Sequence, residues 1–261
     1  MKRVIQKLAR KLGYEISRID PVNNSKIEIT EDRYEVTFKK VIIDHSKYFV
    51  PTYAMHRPAV KDICKGKLFE PNTHKFVETL CGKKSGSIVH AGTFFGDMLP
   101  NFSKFVNGSV YAFEPVLENF LLAKLSVDVN NLSNVILLNS ALSSSISNLR
   151  INTSEKDDLH AGGASTIAEQ GQICTSLKID SLDASDIILI QLDVEGHELE
   201  ALVGATNTIA RCRPAIAIED NYNRCDKFLS ENDYSMVRKI PGLAIWVPNE
   251  DSVIGEVVKS F

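Results

Sequence analysis

No two of the five cysteines (Cys64, Cys81, Cys174, Cys212 and Cys225) stand in a C-x-x-C pair. Their odd number and wide spacing argue against a disulfide framework and a thiolate zinc site, and predict reduced thiols in a cytoplasmic protein. No apolar run approaches the roughly 20 residues that a membrane span requires. The N-terminal stretch MKRVIQKLARKLGYEI is basic but lacks the apolar segment of a secretory signal. Neither charge is in excess: 30 Lys and Arg against 33 Asp and Glu leave a formal net charge of −3. That balance gives no reason to expect wholesale binding of nucleic acid. His45, His56, His74 and His160 show no metal-ligand spacing, and there is neither an internal repeat nor a low-complexity linker. What remains is an ordinary globular composition, 44% hydrophobic and 24% charged over 261 residues, enough to bury a core.

At the N-terminus Val4, Ile5, Leu8 and Leu12 share one helical face, and Lys2, Arg3, Lys7, Arg10 and Lys11 cover the others. The pattern predicts a solvated helix docked on its own domain. Weak membrane-surface contact through residues 1–14 is the alternative. KIEITEDRYEVTFKKVIID alternates around a polar break at Glu31–Asp32 and predicts a hairpin. Residues 45–86 read as irregular, punctuated by Pro51, Pro58 and Pro71, with a helix from about His74 to Leu80.

From Ser87 onward the pattern becomes regular. SIVHAG, SVYAFEP, NVILLNSAL, DIILIQLD and PAIAIED are continuous apolar runs, as strands buried on both faces are. Amphipathic stretches separate most of them: VLENFLLAKL sets Leu117, Phe120, Leu121 and Leu125 on one face, and HELEALVGA does the same with Leu199, Leu202 and Val203. The alternation predicts an α/β fold with a doubly wound, mostly parallel sheet. Residues 143–186 interrupt it, with HAGGAST as a loop and QICTSLKID as an extra strand. Two runs flanking Pro241–Gly242 predict a closing antiparallel hairpin. The simplest division is an N-terminal extension, 1–80, and one catalytic domain, 81–261.

SIVHAGTFFGD runs a strand into Gly92, with a second glycine at 96 and a helix expected near it. A glycine at a strand end lets a ligand approach the backbone, and the helix N-terminus offers free N–H groups. Glu114 ends the next strand, about 20 residues on, where an acid can accept both ribose hydroxyls of an adenosine-containing cofactor. G-T-F-F-G is not the G-x-G-x-x-G that a dinucleotide prefers. Bulky Phe94 and Phe95 suit S-adenosylmethionine, which has no pyrophosphate. A nicotinamide-dependent oxidoreductase is the competing reading.

IQLDVEGHELEALVGA crowds Asp193, Glu195, His197 and Glu198 into a strand-to-helix junction. This stretch resembles the D-V-E-G-x-E-x-x-x-L-x-G-A signature of the FkbM-type methyltransferases, a branch of the class I, Rossmann-like S-adenosylmethionine-dependent enzymes. VYAFEP, NNLSNVILLNSALS, TSLKIDSL and RPAIAIED extend the resemblance from about Phe69 to Asp220. It implies O-methylation of a hydroxyl on a sugar, glycan or small natural product. It also implies cofactor contacts from Gly92, Thr93, Phe94, Gly96 and Glu114, with Ser140 and Ala141 along the adenine. Asp193 would sit beside the methyl-transfer site. Where the family has an aspartate this chain has His90, which can hydrogen-bond the methionine end of the cofactor but supplies no fixed negative charge. That departure raises a catalytically weak or inactive cofactor-binding protein as an alternative.

Methyl transfer to oxygen needs positioning and a group that takes the hydroxyl proton. His197, Asp193 and Glu195 are the candidates. Glu198 and Glu200 are expected to do no more than offset the helix macrodipole. A minority route places Mg2+ on Asp193, Glu219 and Asp220, since hard cations take oxygen ligands. Tyr53, His56 and Arg57, with the glycines of HAGGAST, are expected to cap the acceptor site. Glu70 is expected either to touch it or to start a helix.

Overall fold

The computed structural model describes residues 35–155, 159–219, 223–240 and 242–259. The expected N-terminal helix, the Glu31–Asp32 break, Asp220 and Pro241 lie outside them. From Val36 onward the chain forms one compact unit. It opens with an antiparallel hairpin of β1 (Phe38–Ile43) and β2 (Ser46–Pro51). Asp44 and His45, at φ 46° and 71°, form its two-residue turn, which matches the right-handed twist of the strands. Helices α1 (Pro58–Cys64) and α2 (Pro71–Cys81) follow. This corrects the irregular reading of 45–86. Pro58 and Pro71 open helices, where the missing N–H has no partner to lose. The helix expected over His74–Leu80 lies within α2.

The main sheet is built as read. β3 (Ser87–Ala91), α3 (Leu99–Phe105), β4 (Val110–Phe113), α4 (Leu117–Val129) and β5 (Val135–Leu138) form its first half. A smaller sheet follows, of β6 (Ala141–Leu142), β7 (Ser147–Asn152), β8 (Thr166–Ala168) and β9 (Gln172–Leu177), in the order β6-β9-β7-β8. QICTSLKID supplies β9, and the run NVILLNSAL divides into β5 and β6, while the reading missed β7 and β8. The second half comprises β10 (Ile187–Leu192), α5 (Glu198–Val203), α6 (Thr206–Cys212), β11 (Ala215–Ile218), α7 (Asp226–Glu231), the hairpin β12 (Tyr234–Ile240) and β13 (Leu243–Pro248), and α8 (Ser252–Lys259). The strand order is β12-β13-β11-β10-β3-β4-β5, parallel from β11 to β5 and antiparallel through the closing hairpin.

Helices cover both faces. Phe76, Leu80, Leu99 and Phe102 pack with Ile88, Leu189 and Ile245 on one side, and Leu202, Ile209 and Leu229 with Val89, Ile190 and Ile216 on the other. Each fully buried side chain of this size contributes about 1.5–3 kcal/mol. The sheet's edges are β5, four residues long, and β12, whose register slips between Met236 and Arg238.

Helix α4 departs from expectation. Leu117 and Leu121 are 45% and 41% exposed, while Asn119, Leu122, Ala123, Ser126 and Val127 are buried. Apolar residues lie almost all round this helix, so their periodicity does not select a face. Hydrogen-bonding partners for Asn119 and Ser126 do.

Candidate active site

The tips of β3 and β10 touch. Asp193 N–H donates to Ala91 O at 3.0 Å. Gly92 turns away at φ 86°, and a Cβ there would stand 1.8 Å from the Asp193 carbonyl oxygen. The chain then passes through Phe94, itself at φ 50°, whose N–H donates to Glu114 Oε2 at 2.7 Å. Glu114 Oε1 accepts from Val116 N–H at 2.9 Å and Asn119 Nδ2 at 3.3 Å. Burial pushes this carboxyl up to about 7 against the pull of those three donors. A carboxylate offers about four acceptor positions, so Oε2 keeps one to spare.

Two cavities meet at these tips. The first, of about 470 Å³, lies over Glu114, Val116, Ser140, Ala141 and Leu142 beneath Gly162 and Gly163. Ser140 Oγ is buried in its wall with no hydrogen-bond partner. The second, of about 790 Å³, is walled by Glu70, Asp97, Asp193, Glu195 and Glu219, with Arg57 as its cation and Phe69, Phe94 and Met98 as its apolar part. Gly92, Gly163, Asp193 and Glu195 line both.

The acid-rich cavity contains Asp97, which the sequence did not single out, and Glu219, which it offered only as a metal ligand beside Asp193 and Asp220. Asp97, only 6% exposed, is pushed up to about 7 by burial and by Glu70. Glu219, at the end of β11, hydrogen-bonds Asp193. Burial, then the charges of Glu219, Glu195 and Glu70, hold Asp193 well above the usual carboxylate range. Two hydrogen-bonded carboxyls retain a proton between them. Glu70 does both things expected of it: it precedes α2, accepting from Thr73 Oγ1 at 2.9 Å, and it lines the cavity. Among the described residues no three His, Cys, Asp or Glu side chains are grouped to hold a metal ion. Arg57, joined to Glu155 at 2.6 Å, and Gly163 contribute to the wall, as expected of the caps.

Other expected site residues lie elsewhere. His197 lines the first cavity, its Nε2 3.0 Å from Ser143 Oγ and its Nδ1 3.7 Å from Glu200, so it is not in the wall of the acid-rich cavity. Glu198 is 2% exposed and accepts from Val194 and Gly196 N–H at 3.2 and 3.1 Å. It pins the loop in which Glu195 sits at φ 51°, a role beyond offsetting a dipole. Gly96 packs on Ala123 of α4, and Thr93 is 1% exposed with its Oγ1 unpartnered. Neither lines either of these two cavities.

His90 is also absent from both cavities. It alternates with Ala91, which lines the first cavity, and so faces the opposite side of the sheet, toward Phe102, with Nδ1 on Gln191 Oε1. Burial pushes it down to about 4, and His74 of α2 is likewise pushed down to about 4. Both are therefore neutral in the fold. A depressed pKa in the folded state gives stability that is complete above about 6.5 and is lost as pH falls toward 4, by about 3 kcal/mol per histidine. The raised carboxyls of Asp97 and Glu114 act in the opposite direction, so a difference measurement is needed. The melting temperature of His74→Leu should fall less steeply than that of the unsubstituted protein between pH 6.5 and 4. Parallel curves across that window would show that His74 does not titrate in the unfolding step.

The methyltransferase FkbM domain model matches residues 90–239. No curated protein matches the chain. Among solved structures, methyltransferase FkbM from Methylobacillus flagellatus is 19% identical at a TM-score of 0.46, over 62% of this chain; this chain spans 43% of that one. The ribosomal protein L11 methylase of Lactobacillus delbrueckii is 13% identical at a TM-score of 0.42, over 69% of this chain and 81% of that one.

Proposed function

Because this chain belongs to the FkbM methyltransferase domain family, which implies S-adenosylmethionine as methyl donor, we propose that it methylates a hydroxyl oxygen of a sugar, glycan or small natural product. The observation that carries this reading is the junction, across Gly92 and Asp193, of the cavity over Glu114 and Ser140 with an acid-walled one. Five unpaired cysteines support a reducing, cytoplasmic setting.

The residues present fit the cofactor. Ser140 Oγ is an unpaired polar atom in the wall that an adenine would cover. Glu114 has an acceptor position left for a ribose hydroxyl. Asp97, beside Gly92 in the second cavity, offers the negative charge for the methionine ammonium that His90 does not. When bound, S-adenosylmethionine supplies an electrophilic methyl group on a sulfonium and leaves as the neutral thioether.

Asp193 is the base in this reading. It lines both cavities, and burial among acidic neighbours raises its affinity for the proton it would take. The Asp193–Glu219 pair would take the proton that the acceptor hydroxyl gives up on methylation. Glu195 holds the acceptor at the rim, and residues 53–57 and 162–165 cap it as part of the N-terminal extension and the loop. His197, tied to Ser143, borders the cofactor.

Calorimetry with S-adenosylmethionine, S-adenosylhomocysteine and NADH, followed by a methyl-transfer assay on a panel of sugars and polyols, tests the reading. Binding of both sulfur ligands and not NADH, with label on oxygen, is expected. NADH binding alone would point to an oxidoreductase, and binding without transfer to any hydroxyl would point to a protein that only holds the cofactor.

A further inference from the structure

Asn119 is polar, 1% exposed and on the buried face of α4, and both donors of its amide are used. Of its four possible bonds it makes three: Nδ2 donates to Glu114 Oε1 at 3.3 Å and to Gly162 O at 3.1 Å, and Oδ1 accepts from the Tyr53 hydroxyl at 2.8 Å. The orientation is forced. A carboxylate and a carbonyl can only accept, so a flipped amide would set oxygen against oxygen twice.

Those three partners come from three separate parts of the chain. Glu114 is the acid at the tip of β4. Gly162 belongs to the segment roofing the first cavity, which is itself braced by Ser165 Oγ on Gly162 O at 2.9 Å and Gly162 N–H on His160 Nδ1 at 2.9 Å. Tyr53 precedes α1 and lies against the His160 ring, centroids 4.5 Å apart. The roof also rests on Phe94: a Cβ on Gly162 or Gly163 would meet its ring at 3.1 Å. Phe94 N–H in turn holds the other Glu114 oxygen. The ribose acid, the roof of its cavity and Tyr53 behind that roof thus form one closed network.

We propose that Asn119 is the positioning residue of the cofactor site, fixing the Glu114 carboxylate toward the ribose and locking the Gly162–Ser165 roof and Tyr53 over it as one unit. This rests on the cofactor reading above. It adds that the site is assembled through a side chain that touches no ligand, and that occupancy of the ribose position tightens the roof. The titratable groups facing Glu114 are Glu118 of α4 and Cys174 of β9.

Asn119→Asp tests it. The variant keeps the acceptor for Tyr53, removes both donors, and places a second carboxyl against Glu114. S-adenosylhomocysteine, titrated calorimetrically from pH 6 to 9, should bind about 10- to 100-fold more weakly, the range for a lost hydrogen bond to a charged group. The pH below which affinity falls should also move upward, because the added acid makes Glu114 harder to ionise. A general packing defect would weaken binding equally at every pH and would overturn the proposal, as would unchanged affinity. In the unsubstituted protein, amide exchange at residues 161–165 should slow on saturation with S-adenosylhomocysteine. Unchanged exchange there would overturn the proposal even if the variant does not fold. Failure of the unsubstituted protein to bind S-adenosylhomocysteine at all would instead remove the cofactor reading beneath it.

Discussion

Gly92→Ala will lose cofactor binding and a large part of the protein's stability together. The added methyl group would stand 1.8 Å from the Asp193 carbonyl oxygen, at a φ of 86°. That oxygen is backbone, and its strand is held to β3 by the parallel ladder and by the Asp193 N–H bond to Ala91. No side chain can rotate away, so the two strand tips must separate. The conformational penalty is about 1–2 kcal/mol, and forced overpacking adds about 1–3 kcal/mol. Together these correspond to a fall in melting temperature of roughly 10 °C for a chain of this size. The separation would also open the junction of the two cavities, and affinity for S-adenosylhomocysteine should drop by more than about 100-fold. Thermal unfolding and calorimetry on the purified variant check both effects. A variant that melts and binds as the parent does would mean the tips are not in contact.

The second large effect is expected at Asp193. Asp193→Asn keeps the size of the side chain and a hydrogen bond to Glu219 but cannot take a proton. Turnover should fall by about 10²–10⁴, the usual contribution of a general base, while S-adenosylhomocysteine affinity changes by less than about threefold. Single-turnover methyl transfer to whichever hydroxyl acceptor the panel identifies measures the first, and calorimetry the second. Equal loss of binding and turnover would make Asp193 a cofactor ligand. Unchanged turnover would pass the proton to Glu195 or Glu219.

Gly92, Glu114 and Asp193 were legible because each ends an apolar run, and the ends of parallel strands are where such sheets bind ligands. The sheet was legible for the same reason: strands buried on both faces leave uninterrupted apolar runs. His90 was readable too, through a rule left unapplied. Successive strand residues face opposite sides, so a histidine next to cavity-lining Ala91 turns away from the cavity.

Asp97 had a local signal, an acid directly after Gly96, but its burial depends on tertiary packing that the local sequence does not show. Glu219 was legible as an acid ending the strand next to that of Asp193, and the parallel pairing of β10 with β11 brings the two together. Asn119 had no signal in the sequence. On a helix with apolar residues nearly all round, a buried asparagine reads as a solvent-facing one until its partners, 66 and 43 positions away in the chain, are known. Tyr48, Phe49 and Val50 are a buried strand run, obscured by the prolines that follow.

An open sheet leaves two flanks that other chains could extend. On one, β5 offers four residues of backbone, a short template for a foreign strand. On the other, the slipped register of β12 near Arg238 and Lys239 twists the ladder and sets cations along it, which disfavours stacking against a second copy.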